Sequence, residues 1–403
     1  MDLKSQRQCY NFHFAKNTIE EGLASIMSLS TKSAYLISNP SGESGALDTL
    51  PETDGLFVMS KEQLHQQKEL RFDKDDKVCL TTESVLDVVL GRLDEENRKN
   101  AVHQLKDKFA FRELLKAIYP DFVFKRCRLE ELGREVPRDG SKYVVKPVKG
   151  CFGSGVRVVD GSVNVQDLIV EIQAEVLKNS VVLSREALTP DEFLIESYIE
   201  GEEYAVDMFY DNQGRPIVTN IYQHPMPANP AYLHMLYYAS RETFEKVYGP
   251  AKEFFTQLNT LLHVTNLPIH SEFRLQNGRL IPIELNSFRF GGMGLCNLGY
   301  HALGVNAYQC YIEDREPDWV SVWKGKETIF GFFIAYNGAT TDVTKAQPDW
   351  ERLREQFSHI ILEMPFDYKT QLAFGILYIE EKKERLPEIL QIEFDNYFVP
   401  VAV

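Results

Sequence analysis

The segment HSEFRLQNGRLIPIELN, residues 270–286, constrains this chain more than any other. Two strand-like runs, 269–275 and 279–285, flank Asn277-Gly278. Asn-Gly between alternating runs is the strongest short-range hairpin signal, because both turn residues tolerate positive φ. The hairpin sets unusual chemistry on a β-sheet. Glu272 lies on one strand, and Glu284 and Asn286 share a face of the other, since strand side chains alternate. A three-residue loop with Gly278 left-handed would bring Glu272 to that face, whereas a strict two-residue turn would not. Two carboxylates and an amide oxygen among Phe273, Ile283 and Leu285 are costly unless paired or metal-bound. An all-oxygen set of this size suits Mg²⁺, with Mn²⁺ as an alternative. The competing reading is a polar sheet face paired with Arg274 and Arg279.

Two further segments carry chemistry. In KPVKGCFGSGV, residues 146–156, Lys146 ends an apolar run and a glycine-rich stretch follows. Glycines let backbone N–H groups turn toward an anion, and lysine supplies a point charge for phosphate. A plain hairpin turn explains the glycines equally well. In ESYIEGEEYAVD, residues 196–207, an apolar strand breaks at an acidic turn and resumes. Extended backbone there could meet a purine edge while Glu203 accepts from ribose hydroxyls; a solvated acidic turn is the alternative.

In order and spacing these segments resemble the ATP-grasp superfamily. Lys108, in KDKFAFRELLKAIYP, is similar to that superfamily's earlier ATP lysine. The resemblance covers residues 106–292 and is strongest to the L-amino-acid ligase and carnosine synthase branch. It implies an α/β fold with α+β lobes: a pre-ATP domain at 1–105, a lid at 106–195, and a large antiparallel-sheet subdomain at 196–403. It implies that Lys108 and Lys146 bind ATP phosphates beneath Gly153, Ser154 and Gly155. Glu196 and the backbone at Ile199 would meet adenine, Glu203 the ribose, and Glu272, Glu284 and Asn286 would hold Mg²⁺. Members usually place an arginine two residues after the metal asparagine. Here Ser287 and Phe288 intervene before Arg289, so Arg289 reaches that place only through a bulge, and Arg274 competes for the role.

The activity implied is an ATP-dependent ligase joining a small-molecule carboxylate, such as an amino acid, to an amine acceptor through an acyl phosphate. An ATP-grasp carboxylase activating bicarbonate and a non-catalytic ATP-binding regulator are the alternatives. Residues 222–240, rich in Tyr, His, Met and Pro, could wall the substrate pocket, with Tyr222 and His224 lining it and His270 beside the metal strand. Many members dimerise, so a homodimer is an expectation of the resemblance, with no interface signal in the sequence.

Composition sets the background. Lys and Arg total 44 against 59 Asp and Glu, a net charge of −15, which argues against a nucleic-acid or membrane surface. The six cysteines lie far apart with no metal spacing, and residues 1–14 show no secretory pattern, so a reduced cytoplasmic chain is expected.

The remaining sequence reads as follows. Strands are expected at 34–39, 55–59 and 77–80, and helices at 84–97 and 101–119. A hairpin is expected at 143–148 and 155–159, then a helix at 165–178. Three antiparallel strands follow at 193–199, 203–210 and 215–222. A helical stretch at 241–264 is expected to break at Gly249-Pro250. Strands near 329–336 and 372–379 end the reading, and the last hundred residues could complete the sheet, cap the pocket, or both.

Overall fold

A computed structural model describes residues 33–38, 49–50, 53–149, 155–160, 162–180 and 191–401. The reading of the first fourteen residues, and the positions of Gly153 and Ser154, lie outside these.

The described residues open with strands β1 (Ala34–Ser38), β2 (Leu56–Ser60) and β3 (Lys77–Leu80), which form a parallel sheet in the order β2-β1-β3. Helix α1 (Glu96–Lys106) and helix α2 (Lys108–Leu115) follow. The single helix expected at 101–119 is therefore two. Asp107 leaves helical geometry at φ −80° and ψ 109°, and its carboxylate accepts from the N–H groups of Phe109 and Ala110, starting a new helix.

A four-stranded sheet comes next, built from β4 (Phe124–Arg128), β5 (Tyr143–Pro147), β6 (Arg157–Val159) and β7 (Glu192–Ser197) in the order β4-β7-β5-β6. Strands β5 and β6 form the expected hairpin, and helix α3 (Val165–Ser180) packs on the same core.

The large sheet has eight strands. They are β8 (Glu202–Tyr210), β9 (Pro216–His224), β10 (Leu236–Ala239), β11 (Leu267–Gln276), β12 (Arg279–Ser287), β13 (Ile329–Tyr336), β15 (His359–Pro365) and β16 (Ala373–Glu381). Their order is β12-β11-β8-β9-β10-β13-β16-β15, all antiparallel, while β14 (Ala346–Pro348) and β17 (Phe398–Pro400) form a small separate pair. The last hundred residues thus complete the large sheet.

Two sequence expectations change here. Strand β7 does not pair with β8, but lies between β4 and β5 in the smaller sheet. The turn between them passes from one sheet to the other through Gly201 at φ 111°, where a Cβ would sit 2.1 Å from the Leu275 carbonyl oxygen. Only glycine fits that approach. Helix α4 (Arg241–Leu262) runs unbroken through Pro250. The proline removes one backbone bond, that to the carbonyl of exposed Lys246. Meanwhile Val247, Ala251, Phe254, Phe255 and Leu258 are buried against Tyr204, Val206, Phe273 and Leu285 on the back of the sheet. Burial of that stripe, roughly 1.5–3 kcal/mol for each large side chain, outweighs one lost bond.

The hairpin has the two-residue turn weighed from the sequence, yet it still brings Glu272 to the shared face. Asn277 and Gly278, at φ 52° and 77°, make a two-residue turn with Gln276 opposite Arg279. A β-bulge then shifts the register between Glu272 and Phe273, so that Glu272 faces Glu284 and Phe273 faces Pro282. Ile283 is the extra residue. Proline on an edge strand at a bulge costs little, because no ladder donor is required there.

Candidate functional site

The register places one face of the large sheet in rows. Asn286, His270, Asp207 and Asn220 align across β12, β11, β8 and β9, and Glu284, Glu272, Ala205 and Tyr222 form the next row. Arg274, Glu203 and His224 form the third across β11, β8 and β9. The sequence-predicted metal set therefore shares one face. Burial raises the Glu272 carboxyl above its ordinary value, and the neighbouring Glu284 and Glu203 carboxylates push it further. Glu272 nevertheless keeps 28% of its side chain accessible. Among the described residues no three His, Cys, Asp or Glu close a metal cage by themselves. Two opposed carboxylates beside an amide oxygen nonetheless fit a hard cation that completes its shell with water and phosphate.

Lysines from two other elements approach this row. Lys108, in the first turn of α2, holds its Nζ 3.6 Å from Glu284 Oε2. Lys146, near the end of β5, holds its Nζ 2.7 Å from Glu196 Oε1. The two sit diagonally on the smaller sheet, with Lys146 opposite Leu194 and Glu196 opposite Val144.

Glu196 is occupied differently from the sequence expectation of an adenine contact. Arg112 donates to it twice, Nε to Oε2 at 2.6 Å and Nη2 to Oε1 at 3.1 Å, and also donates from Nη1 to the Pro282 carbonyl at 2.8 Å. All three side chains are buried. Burial alone would raise the Glu196 carboxyl, but Arg112 and Lys146 hold it down at about 2. Burial lowers the Lys146 ammonium, assisted by Arg112 and Lys108 and opposed by Glu196. The chain pattern offered a signal for Arg112, four residues beyond Lys108 and so on the same helix face.

The hinge between the sheets is also braced. Arg274 donates from Nη1 to Tyr198 Oη at 2.9 Å and to the Ile199 carbonyl at 3.3 Å, and from Nη2 to Glu203 Oε2 at 3.2 Å. The other Glu203 oxygen meets His224 Nδ1 at 2.7 Å. Burial opposes the charged form of Glu203, but His224 and Arg274 hold its carboxyl below the ordinary range. His224 stacks on Tyr237 at 4.1 Å between centroids. Tyr222 is buried, and its hydroxyl donates to the Leu295 carbonyl at 2.9 Å, a packing role rather than an open pocket wall.

Sequence reasoning missed Asp207, which is fully buried. One oxygen meets His270 Nδ1 at 2.7 Å and accepts from the Gly291 N–H at 2.8 Å, while the other accepts from Asn220 at 3.3 Å. His270 Nε2 then points toward Glu272 Oε1, 4.0 Å away. Alternation along EEYAVD places Asp207 on the Glu203 face, so period-two spacing alone would have found it.

Arg289 is delivered by the irregularity its sequence spacing required. Phe288 adopts φ 64°, a conformation rare for a bulky residue. Its N–H donates to the Pro268 carbonyl at 2.7 Å, and its carbonyl accepts from the Leu80 N–H at 2.6 Å. Arg289 Nη2 lies 3.3 Å from Glu83 Oε1, on the loop after β3. Burial raises the Tyr237 hydroxyl far above its ordinary value, with Glu272 and Glu203 adding to the rise and Arg289 opposing it. All three charged groups thus act on one aromatic side chain. Of the two candidate arginines, Arg274 braces the hinge and Arg289 pairs with Glu83 on the loop after β3. Gly155, at φ 71°, is buried just before β6.

Residues 140–297 match the family described as the ATP-grasp domain. No curated protein matches the sequence. Among solved structures, the L-amino acid ligase from Bacillus licheniformis is 18% identical with a TM-score of 0.61, covering 93% of this chain and 100% of that one. N5-carboxyaminoimidazole ribonucleotide synthetase from Thermotoga maritima is 14% identical with a TM-score of 0.57 and the same coverage, 93% and 100%. Biotin carboxylase from Campylobacter jejuni is 11% identical with a TM-score of 0.54, covering 94% and 89%. The chain therefore has the ATP-grasp fold, and residues 140–297 match the ATP-grasp domain.

Proposed function

We propose that this chain is an ADP-forming carboxylate–amine ligase. The observation that carries the reading is the opposed pair Glu272 and Glu284, with Lys108 against Glu284 and Lys146 on the neighbouring sheet. A free carboxylate reacts poorly with amines because its oxygen is a poor leaving group. Its oxygen attacks the γ-phosphorus of ATP, the bond to the bridging β,γ-oxygen breaks, and ADP departs with that electron pair. The amine lone pair then attacks the acyl carbon, phosphate leaves, and the amine proton passes to solvent.

Each residue has a part in that scheme. Phosphoryl transfer is mostly positioning and charge neutralisation. Lys108 and Lys146 offset the triphosphate charge, and Glu196 with Arg112 fixes Lys146 in one place. Glu203 meets the ribose, and the backbone at Ile199 lies along the adenine. Glu272, Glu284 and Asn286 would hold Mg²⁺, which when bound polarises phosphate oxygens. Arg289 stabilises the acyl oxyanion. The division into lobes at 1–105, 106–195 and 196–403 belongs to the same proposal. The change of sheet around Gly201 supports a separate lid and large subdomain, with β7 keeping residues 196 and 197 in the lid sheet.

The test is hydroxylamine trapping. Incubation with ATP, Mg²⁺, hydroxylamine and a panel of amino acids should give ADP and hydroxamates in equal amounts. ADP release that needs bicarbonate and no amino acid would select a carboxylase instead. ATP binding without turnover across the panel would select a regulator.

A further inference from the structure

Four side chains occupy the corners of a rectangle on one face of the large sheet. His270 and Glu272 stand two residues apart on β11, and Asn286 and Glu284 lie opposite them on β12. Alternation sends all four to the same side. The oxygen donors of the proposed metal set fill three corners, and His270 fills the fourth.

His270 is fixed by a group behind it. Its side chain is 6% exposed, and its Nδ1 lies 2.7 Å from Asp207 Oδ1. That oxygen also accepts from the Gly291 N–H at 2.8 Å, and the other accepts from Asn220 at 3.3 Å. Asp207 thus serves as an acceptor throughout, so the hydrogen between the two side chains belongs to Nδ1. The neutral ring then carries a lone pair on Nε2. Among the described residues Nε2 meets no hydrogen-bond partner, and Glu272 Oε1 stands 4.0 Å from it, beyond hydrogen-bond reach.

A buried ring nitrogen aimed at a carboxylate it does not reach calls for an explanation. A protonated His270 paired with Glu272 would close to about 2.7–2.9 Å, and the observed gap is wider. A gap of 4.0 Å instead matches the span of two ligand bonds of roughly 2.0–2.2 Å, from a nitrogen and an oxygen to one ion between them. A histidine that binds metal through one nitrogen almost always donates from the other to a carboxylate or carbonyl, which sets its tautomer and raises its basicity. Asp207 and His270 stand in that relationship.

We propose that His270 is a fourth protein ligand of the metal, binding through Nε2 beside Glu272, Glu284 and Asn286. The inference rests on the metal set of the ligase reading and changes its chemistry. Three oxygens alone suit Mg²⁺, whereas imidazole nitrogen is a softer donor that favours first-row transition ions. The site therefore selects Mn²⁺ over Mg²⁺ more strongly than an all-oxygen set would. Asp207 is a positioning residue, acting only through His270.

Pulsed electron paramagnetic resonance tests this, with Mn²⁺ kept below the protein concentration and ADP in excess. In protein labelled with ¹⁵N-histidine, the bound Mn²⁺ should show coupling to a histidine nitrogen, and His270→Gln should abolish it. By calorimetry with ADP, the same variant should lose at least tenfold of the preference for Mn²⁺ over Mg²⁺, a ratio that general loosening of the sheet would leave unchanged. Bound Mn²⁺ without histidine coupling, or coupling that persists in His270→Gln, would overturn the fourth ligand and leave the oxygen set standing. The labelled wild-type spectrum decides alone where the variant does not fold. Mn²⁺ binding that is unchanged in Glu284→Gln would overturn the oxygen set, and the fourth ligand with it.

Discussion

Glu272 and Glu284 lie directly opposite each other on neighbouring antiparallel strands, brought into register by a bulge at Ile283, the residue next to Glu284 on the turn side. Like charges facing across a sheet are destabilising, by roughly 0.2–1 kcal/mol relative to a neutral pair. Nothing in the fold requires that arrangement, and a bound cation would relieve it.

Glu284→Gln should therefore separate stability from activity. Thermal unfolding without metal should be unchanged or slightly raised, because the repulsion is gone. Mg²⁺-dependent ADP release should fall to background. Retention of full ADP release in the folded variant would remove Glu284 from the metal set.

Arg112→Met should damage the fold as well as the site. The variant leaves Glu196 buried with Lys146 alone and leaves the Pro282 carbonyl without its donor. Removing one partner of a buried ion pair costs about 3–5 kcal/mol. Urea unfolding should show a loss of that order. ATP affinity should also weaken, since Lys146 would lose the geometry that Glu196 imposes. Wild-type stability would mean that the cluster contributes no net energy.

Much of the site was legible in the sequence, because strand alternation and turn chemistry act locally. The face shared by Glu284 and Asn286 follows from period two, and Asn277-Gly278 announced its turn. The position of Glu272 did not follow, because a bulge at Pro282 and Ile283 depends on an edge strand that only the assembled sheet defines. Glu196 illustrates the other limit. Its segment reads as an acidic turn, yet its partner Arg112 is 84 residues away and brought there by packing of α2. Glu83, in TTESV, carried no local signal at all. The helix at 241–262 shows tertiary burial overriding a local breaker.

Acid should unfold this chain in a defined window. The Glu196 and Glu83 carboxyls are both lowered from 4.5 to about 2 in the folded state. A lowered folded value means that the folded state holds the charged form, so stability is full above about pH 4.5 and is lost as pH falls toward 2. Chemical denaturation at steps from pH 6 to pH 2.5 should show a steady fall below pH 4.5. In Glu196→Gln the stability should start lower and fall less steeply. An identical slope in the variant would assign the acid sensitivity to other carboxylates.

Gly201→Ala tests the passage between the two sheets. Gly201 sits at φ 111°, and an added Cβ would lie 2.1 Å from the Leu275 carbonyl oxygen. The oxygen belongs to backbone in β11, one residue beyond Arg274, so it cannot swing aside as a side chain would. Either the turn or the strand must move, and the strain of the backbone conformation alone is about 1–3 kcal/mol. Displacing β11 there would pull Arg274 from Tyr198, Ile199 and Glu203, the contacts that brace the hinge. The variant should lose stability in urea and bind ADP at least tenfold more weakly by calorimetry. Gly278→Ala provides the control, because that glycine also has a positive φ, of 77°, but no atom within 4 Å of its added Cβ. It should lose stability by a similar strain while keeping ADP affinity. Equal loss of ADP affinity in both would show that the Gly201 turn has no special connection to the nucleotide site.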